Sequence, residues 1–238
     1  MKSLKYLVVG TGRSGTVFMS RFLTSLGIVC GHESIFTHYG LEEAIKRLQN
    51  PDRIQNSAVS EDGDRLNIDS SLQVAESSYM AAPFLNHNFL KDTKIIHVVR
   101  NPIKTISSLY FDAQFFNEEE LPQIPYYNFV LRYIPEINQF EDRLTKNILF
   151  WSLWNQMIEQ RSKKTNYFRF KIDEGVYSDL YDFLGVKPTD YVYKNVKANT
   201  WKKRVRNITH DDITNIEAAE ILWDFAKRYG YNLPKFFN

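Results

Sequence analysis

The sequence predicts a single α/β domain over residues 1–238, with a mainly parallel sheet flanked by helices. Apolar runs typical of strands alternate with stretches of helical period along the chain, as expected for a parallel sheet covered on both faces. The 238 residues, of which 43% are hydrophobic and 24% charged, suffice for one substantial core. A glycine-rich turn after the first strand indicates a P-loop-like strand–loop–helix near the N-terminus.

The first half of the chain shows the clearest alternation. The run from Leu4 to Val9 predicts a strand, and the apolar spacing over 14–26 predicts a helix that ends near Gly27. The run KIIHVV at 94–99 predicts a buried strand, and Asn101-Pro102 reads as the cap and first residue of a helix extending to about 115. Between these segments the sequence predicts strands at 28–30 and 66–71, helices at 41–49 and 78–86, and a polar loop at 50–63.

The second half combines an irregular stretch with regular elements. Three prolines within 116–140 predict an irregular insertion. Apolar positions within 141–164 recur at helical spacing, which predicts a core helix. The remaining predicted elements are a strand at 167–172, a helix at 176–184 closed by Gly185, and a final helix at 210–229.

The composition excludes several classes of protein. The formal net charge of +2 is too small to indicate a nucleic-acid or membrane partner. The single cysteine, Cys30, excludes an internal disulfide and suits a reducing compartment. No apolar run reaches the length of a membrane span, and the first residues read as a strand rather than as a signal peptide. We therefore expect a cytoplasmic protein without a membrane span.

Gly10, Gly12 and Gly15 form a turn between a predicted strand and a predicted helix. Such a turn places backbone N–H groups and the positive end of the helix around an anion, usually a phosphate. The three glycines satisfy the dinucleotide fingerprint G-x-G-x-x-G, with Glu33 as the acidic residue expected about 20 residues later. The turn also approaches the P-loop pattern of nucleotide enzymes, but Thr16 stands where those enzymes need a lysine.

Arg13 gives the same turn a third interpretation, in which the cation comes from inside the loop. In this interpretation Ser14, Gly15, Thr16 and Val17 supply backbone amides and hydroxyls to the bound anion. The alternative without a ligand is an ordinary strand-to-helix turn, whose glycines serve only its tight geometry.

A second candidate anion site decides among these interpretations. Arg100 follows the predicted strand at 94–99, and Ser108 lies eight residues later, two turns into the predicted helix. A guanidinium and a hydroxyl that converge above a strand end form a phosphate site, which neither dinucleotide enzymes nor P-loop kinases require. A third basic element, KNVKANTWKKRVR at 194–206, contains six Lys or Arg residues and no acid. It reads either as a solvated basic face or, because it contains Trp201, as a loop covering a nucleotide.

Three motifs together resemble the sulfotransferases that use 3′-phosphoadenosine 5′-phosphosulfate. These are RSGT at 13–16, VVRNPIKTISS at 98–108, and the late basic loop with its Trp-Lys pair. The resemblance implies that the first motif holds the 5′-phosphosulfate and that Arg100 and Ser108 hold the 3′-phosphate. It also implies that the basic loop covers the nucleotide. The cofactor-binding residues carried over in this way are Arg13, Ser14, Gly15, Thr16, Val17, Arg100, Ser108, Trp201, Lys202 and Lys203.

The stretch CGHES at 30–34 resembles a similar stretch of tyrosylprotein sulfotransferases. That resemblance implies that Glu33 is the catalytic base, while His32 replaces the acidic residue before it and is the second choice. Glu76 and His38 are reserves for the same role. The chain departs from tyrosylprotein sulfotransferases in being short and nearly free of cysteine, so the acceptor need not be tyrosine. It departs from the cytosolic small-molecule enzymes at Arg13, where they use a lysine, and in its carboxylate base, where they use a histidine.

The expected reaction is transfer of a sulfuryl group to a hydroxyl or amine of an unidentified small-molecule, carbohydrate, lipid or peptide acceptor. Arg13 is expected to stabilise charge on the leaving oxygen, and Glu33 to take the acceptor proton. No metal is expected, because cationic side chains can carry the charge that Mg²⁺ carries in phosphoryl transfer. The competing hypotheses are a P-loop kinase, a non-catalytic nucleotide-binding module and a dinucleotide oxidoreductase. The aromatic residues of 110–140 either line the acceptor pocket or belong to the core.

Overall fold

The computed structural model describes residues 3–54, 72–187 and 206–233. Its strands are β1 (Tyr6–Val9), β2 (Cys30–His32), β3 (Ala75–Ser77), β4 (Lys94–Val99) and β5 (Tyr167–Lys171). Its α-helices are α1 (Thr16–Ser25), α2 (Leu41–Gln49), α3 (Pro102–Ser107), α4 (Ile124–Tyr133), α5 (Arg143–Arg161), α6 (Ser178–Leu184) and α7 (Ile216–Arg228). Short 3₁₀ segments and one π-helical turn, Ser108–Asp112, join them.

The five described strands form one sheet in the order β2-β3-β1-β4-β5, and every pair is parallel. The predicted α/β class with a parallel sheet is confirmed. The strand β1 lies at the centre, with β3 on one side and β4 on the other. Because the chain leaves β1 toward β2 in one direction and later reaches β4 in the other, a crevice opens at the carboxyl end of β1, where α/β folds bind ligands.

The sheet is covered on both faces, which explains why its central strands are continuously apolar. All four residues of β1 are buried. On one face, α1 and α6 pack Met19, Phe22 and Leu180 against the sheet. On the other face, α5 contributes Phe150 and Trp154 to a large aromatic cluster. These packed layers hold the carboxyl edge of the sheet in place.

Several predicted elements differ from those observed. The predicted strand at 66–71 lies outside the described residues, and the third strand is Ala75–Ser77. The predicted insertion at 116–140 is wrong, because it contains α4. Pro125 lies in the first turn of α4, where a missing backbone N–H costs no helical hydrogen bond. The sequence predicts one helix that reaches about residue 115, whereas α3 ends at Ser107 and the π-helical turn follows it.

Two further boundaries changed for local reasons. The helix predicted at 78–86 is a 3₁₀ segment, Tyr79–Phe84, which contains Pro83. A proline inside a helix removes one backbone donor and disfavours α geometry in the preceding residue. The final helix begins at Ile216 rather than at 210, because the Asn215 side chain accepts a hydrogen bond from the Ala218 amide and caps it there.

Candidate functional site

The two predicted anion-binding segments meet at the carboxyl edge of the sheet. In the register of β1 and β4, Val9 lies opposite His97, so the loop after β1 and the residues after β4 emerge side by side. The Arg100 guanidinium donates a hydrogen bond from Nη1 to the backbone carbonyl of Arg13, at 3.1 Å. The fold therefore joins two segments that are 87 residues apart in the sequence.

The loop after β1 is shaped by its own backbone. Arg13 has a φ of +65° and Gly15 a φ of +109°, so the chain turns twice through the left-handed region. The amide and the hydroxyl of Ser14 both donate to the Thr11 carbonyl, at 3.2 and 2.7 Å. The Ser14 hydroxyl thus stabilises the turn from inside. The sequence predicts that the Ser14 amide and hydroxyl face the anion, but in the structure both donate to the Thr11 carbonyl inside the loop.

The helix α1 begins directly after this turn. The first backbone amides of an α-helix have no acceptor within the helix, and among the described residues no side chain caps α1. The first turn of α1 also contains no acidic residue. The amides of Thr16 and Val17 and the positive helix end are consequently suited to an anion.

The side chain of Arg13 reaches across the crevice to the π-helical turn. Its Nε donates to the Ser108 hydroxyl at 2.9 Å, and its Nη2 lies 3.8 Å from Oδ2 of Asp112. The Ser108 hydroxyl in turn donates to the same Asp112 oxygen at 2.8 Å. Arg13 and Ser108, which the sequence assigned to two different phosphates, are therefore in direct contact, with a carboxylate beside them.

Asp112 and Asp173 belong to this site although sequence reasoning did not identify them. Asp112 lies four residues after Ser108, and that helical spacing was the available signal. The Asp173 carboxylate follows β5 and accepts a hydrogen bond from the Asn101 amide, next to Arg100. Its position directly after a predicted strand is the sequence signal that points to it.

The candidate base lies at the neighbouring strand end. Glu33 follows β2 directly, has a φ of +49°, and donates its backbone amide to the Ser77 carbonyl at 3.1 Å. The Nε2 atom of His32 lies 3.1 Å from the Thr16 hydroxyl and 4.0 Å from Oε1 of Glu33. His32 therefore links the carboxyl group of Glu33 to Thr16, the first residue of α1.

Burial changes the protonation of both groups. Burial, with a smaller contribution from the charge of Glu76, raises the pKa of Glu33 to about 8. Burial, with a smaller contribution from the Arg21 guanidinium, lowers the pKa of His32 to about 4. The carboxyl group of Glu33 therefore gains its proton-accepting form as the pH rises through about 8, whereas His32 is neutral throughout that range.

The comparison with protein families decides what these motifs represent. The model of one family, described as the sulfotransferase domain, matches residues 4–219. The chain belongs to this family. The predicted resemblance to sulfotransferases is thereby confirmed, and the protein is an enzyme of this class.

Solved sulfotransferases are similar to this chain at low sequence identity. A sulfotransferase from Alicyclobacillus acidocaldarius is 12% identical, with 99% of each chain covered and a TM-score of 0.47. The sulfotransferase domain of the Synechococcus PCC 7002 olefin synthase is 12% identical, with 98% of each chain covered and a TM-score of 0.48. The sulfotransferase domain of the curacin biosynthetic pathway is 14% identical, covers 98% of this chain and 99% of its own, and has a TM-score of 0.47. Among curated protein sequences, none matches this chain.

The two reserve bases of this sulfotransferase occupy different environments. Glu76 is fully buried, and its Oε1 accepts hydrogen bonds from the backbone amides of Ser34 and Ile35, at 2.7 and 2.9 Å. It therefore faces the turn after β2 and lies away from solvent. His38 packs its ring against Tyr126, at 5.1 Å between centroids.

The aromatic residues of 110–140 mainly form core. Phe115, Phe116 and Phe129 are buried in the cluster around α5. Tyr126 is partly buried, and the charge of Glu33 contributes to raising its pKa after the larger effect of burial. Tyr126 is thus the aromatic residue of this stretch with an electrostatic link to the candidate base in the described structure.

The sulfotransferase has further predicted features that the structure tests only in part. Trp201, Lys202 and Lys203 lie outside the described residues. Within 3–54, 72–187 and 206–233, no group of three or more His, Cys, Asp or Glu side chains could hold a metal ion. None of the helices in these ranges is both long and apolar enough to cross a membrane.

Proposed function

We propose that this sulfotransferase transfers a sulfuryl group from 3′-phosphoadenosine 5′-phosphosulfate to a hydroxyl or amine acceptor by in-line displacement. The observation that carries the proposal is the contact between Arg100 and Arg13, which unites two cationic segments beside the amino end of α1. Guanidinium groups, helix-end amides and a hydroxyl form a donor set suited to phosphate and sulfate oxygens. The residues present thus fit an anionic nucleotide.

On the donor side, each residue has a proposed role. Arg13 and the amides of Gly15, Thr16 and Val17 hold the 5′-phosphosulfate. Arg13 also stabilises the negative charge that develops on the leaving oxygen, acting electrostatically because arginine stays protonated in proteins.

The 3′-phosphate is assigned to the neighbouring segment. Arg100 and Ser108 bind it, and Ser108 already lies within hydrogen-bond distance of Arg13. By resemblance, Trp201, Lys202 and Lys203 cover the nucleotide. The match over residues 4–219 supports treating the chain as one sulfotransferase domain.

On the acceptor side, Glu33 is proposed as the general base. Its carboxylate takes the proton of the acceptor hydroxyl while the acceptor oxygen forms a bond to sulfur and the bond from sulfur to the bridging oxygen breaks. The donor supplies the sulfuryl group and departs as adenosine 3′,5′-bisphosphate. His32 orients this region through Thr16 and remains the second choice for the base.

The sheet order disfavours the dinucleotide oxidoreductase, and the loop chemistry disfavours the P-loop kinase. In the dinucleotide fold β1 adjoins β2, whereas here β3 lies between them. A P-loop kinase needs a lysine on the transferred phosphate, but here Thr16 takes that position and its hydroxyl contacts His32. The acceptor belongs to one of the four classes expected from the sequence: a small molecule, a carbohydrate, a lipid or a peptide.

A thermal-shift panel tests the donor assignment. Adenosine 3′,5′-bisphosphate should raise the melting temperature in the presence of EDTA, whereas ATP with Mg²⁺ and NADH should have smaller effects. A ligand at a hundredfold excess over its Kd stabilises the fold by about 2.7 kcal/mol. Preference for ATP with Mg²⁺ would contradict the proposal. Transfer of ³⁵S from labelled donor to a panel of sugars, phenols, lipids and peptides then identifies the acceptor, and tight donor binding without transfer to any of them would favour the non-catalytic module.

A further inference from the structure

A buried carboxylate lies directly behind the candidate base. We propose that Glu76 is a positioning residue, whose carboxylate holds the turn 33–36 in the conformation that directs Glu33 toward the acceptor. This inference rests on the proposed function, in which Glu33 is the general base. It replaces the expectation that Glu76 is itself a reserve base.

The hydrogen bonds of Glu76 tie this turn to the sheet. Oε1 accepts from the amides of Ser34 and Ile35, at 2.7 and 2.9 Å. Oε2 accepts from the Ser34 hydroxyl at 2.7 Å and from Nε2 of Gln73 at 2.8 Å. The residue is 0% exposed, whereas the side chain of Glu33 is 22% exposed. Glu76 therefore acts on the turn, and Glu33 is the carboxyl group that a substrate can reach.

Gly31 shows how closely this cluster is packed. A Cβ at Gly31 would lie 2.3 Å from Oγ of Ser34, 2.4 Å from Nε2 of Gln73 and 2.6 Å from Oε2 of Glu76. Three members of the cluster thus fill the space where any other residue would carry a side chain. The glycine of the CGHES motif is explained by this cluster rather than by the substrate.

The turn needs such support because Glu33 has a φ of +49°. A non-glycine residue holds this sparsely populated conformation only when its surroundings determine it. Three of the four bonds to Glu76 fix the residues after Glu33, and the Ser77 carbonyl accepts the Glu33 amide at 3.1 Å. Arg47 adds a bond from Nη1 to the Ser34 carbonyl at 2.7 Å.

Glu76 also acts on Glu33 through its charge. Titratable groups that interact with Glu33 include His32, Glu76, Tyr79 and Tyr126, and Cys30 interacts with Glu76 from β2. Burial is the main cause that raises the pKa of Glu33 to about 8, and the negative charge of Glu76 adds to it. Replacing Glu76 with a neutral side chain should therefore lower the pKa of Glu33 and loosen the turn that carries it.

The first experiment compares Glu76→Gln with a matched control, Glu159→Gln. Glu159 is a half-buried carboxylate of α5 that is paired with Arg169 and Arg228. Glu76→Gln should reduce kcat on the order of 10- to 100-fold, as expected for a misplaced catalytic group, with an unchanged Kd for adenosine 3′,5′-bisphosphate. The acidic limb of its kcat profile should move to lower pH, whereas the limb in Glu159→Gln should remain in place.

A second measurement separates this proposal from the proposed function. In protein labelled with ¹³C-glutamate, the Glu33 carboxyl signal is assigned by its loss in Glu33→Gln and titrated without substrate. A lower pKa of Glu33 in Glu76→Gln supports the proposal even where the wild-type protein transfers sulfate to no tested acceptor, an outcome that would contradict the proposed function alone. An unchanged pKa together with wild-type kcat would overturn the proposal.

A milder variant covers the case in which Glu76→Gln does not fold. Ser34→Ala removes one of the four bonds and retains the Glu76 charge. It should lower kcat several-fold while nucleotide affinity stays constant. Wild-type kcat in Ser34→Ala, combined with an unfolded Glu76→Gln, would assign Glu76 to overall stability and overturn the proposal.

Discussion

Two turns at the same edge of the sheet make an informative comparison. The loop after β1 and the turn after β2 each contain a charged residue in the left-handed region, Arg13 at φ +65° and Glu33 at φ +49°. The first is held from within by the bonds of Ser14 to the Thr11 carbonyl, to which Arg100 adds one bond to the Arg13 carbonyl. The second is held by Glu76, which is 42 residues away from Ser34 in the sequence. The site thus combines a locally encoded donor loop with a base whose position depends on tertiary contacts.

The two turns also differ in how charge is controlled. Arginine keeps its charge in every protein environment, so Arg13 needs only to be placed. A carboxyl group responds to burial and to neighbouring charge, so the environment of Glu33 sets both its position and its protonation. Substitutions on the β2 side should therefore change turnover, and those on the β1 and β4 side should change nucleotide affinity.

The largest expected effect comes from removing the base. Glu33→Gln should lose roughly 10²–10⁴-fold in turnover, because an amide cannot accept the acceptor proton. Its affinity for adenosine 3′,5′-bisphosphate, measured by calorimetry, should remain that of the wild type. Glu42→Gln is the control, since Glu42 is an exposed carboxylate on α2. Near-normal turnover in Glu33→Gln would transfer the role to His32, which His32→Ala tests in the same assay.

An intermediate effect is expected at Arg100, on the β1 and β4 side of the site. Arg100→Ala should weaken adenosine 3′,5′-bisphosphate much more than adenosine 5′-monophosphate, because only the first has a 3′-phosphate. A charge-assisted hydrogen bond contributes roughly 1.5–3 kcal/mol, on the order of 10- to 100-fold in Kd. Lys104→Ala, which removes an exposed cation of α3 four residues after Arg100, serves as the control. Equal losses for both nucleotides would mean that Arg100 acts only through its bond to the Arg13 carbonyl.

The smallest effect is expected at the carboxylate beside Ser108. Asp112→Asn should tighten the binding of adenosine 3′,5′-bisphosphate, because the phosphate no longer meets a negative charge next to Arg13 and Ser108. A partly exposed charge pair contributes roughly 0.2–1 kcal/mol, so the Kd should fall by about 1.4- to 5-fold. Asp179→Asn, at an exposed position of α6, should leave the Kd unchanged. Weaker binding in Asp112→Asn would show that this carboxylate orients Ser108 for the ligand.

Sequence patterns predicted most of the framework correctly. Apolar periodicity predicts the buried strand β4 and the long helix α5. Glycine chemistry predicts that α6 ends at Gly185, which has a φ of +70°. Those signals are local, so they survive without knowledge of the fold. Two of the errors concern α4 and the end of α3. A proline can stand in an irregular loop or in the first turn of a helix, and a helix can continue or change into a π-helical turn; only packing distinguishes these alternatives.

The residues proposed to bind the anion could be singled out from the sequence for the same reason. Arg13, Arg100 and Ser108 lie in motifs of short range, and the register of parallel strands brings their segments to one edge. The carboxylates that complete the site were less visible. Asp112 and Asp173 carry no distinctive pattern, and their partners become neighbours only when α3 and β5 pack against β4.

The sequence by itself determined the class of this protein, because glycine spacing, strand periodicity and three basic motifs are properties of short segments. The tertiary structure decided the environment of Glu33, the proposed base. Its protonation depends on burial and on the charge of Glu76, and the left-handed backbone of Glu33 depends on bonds that cross from β3 to the turn. Burial and long-range hydrogen bonds are created by folding, so no local pattern can encode them.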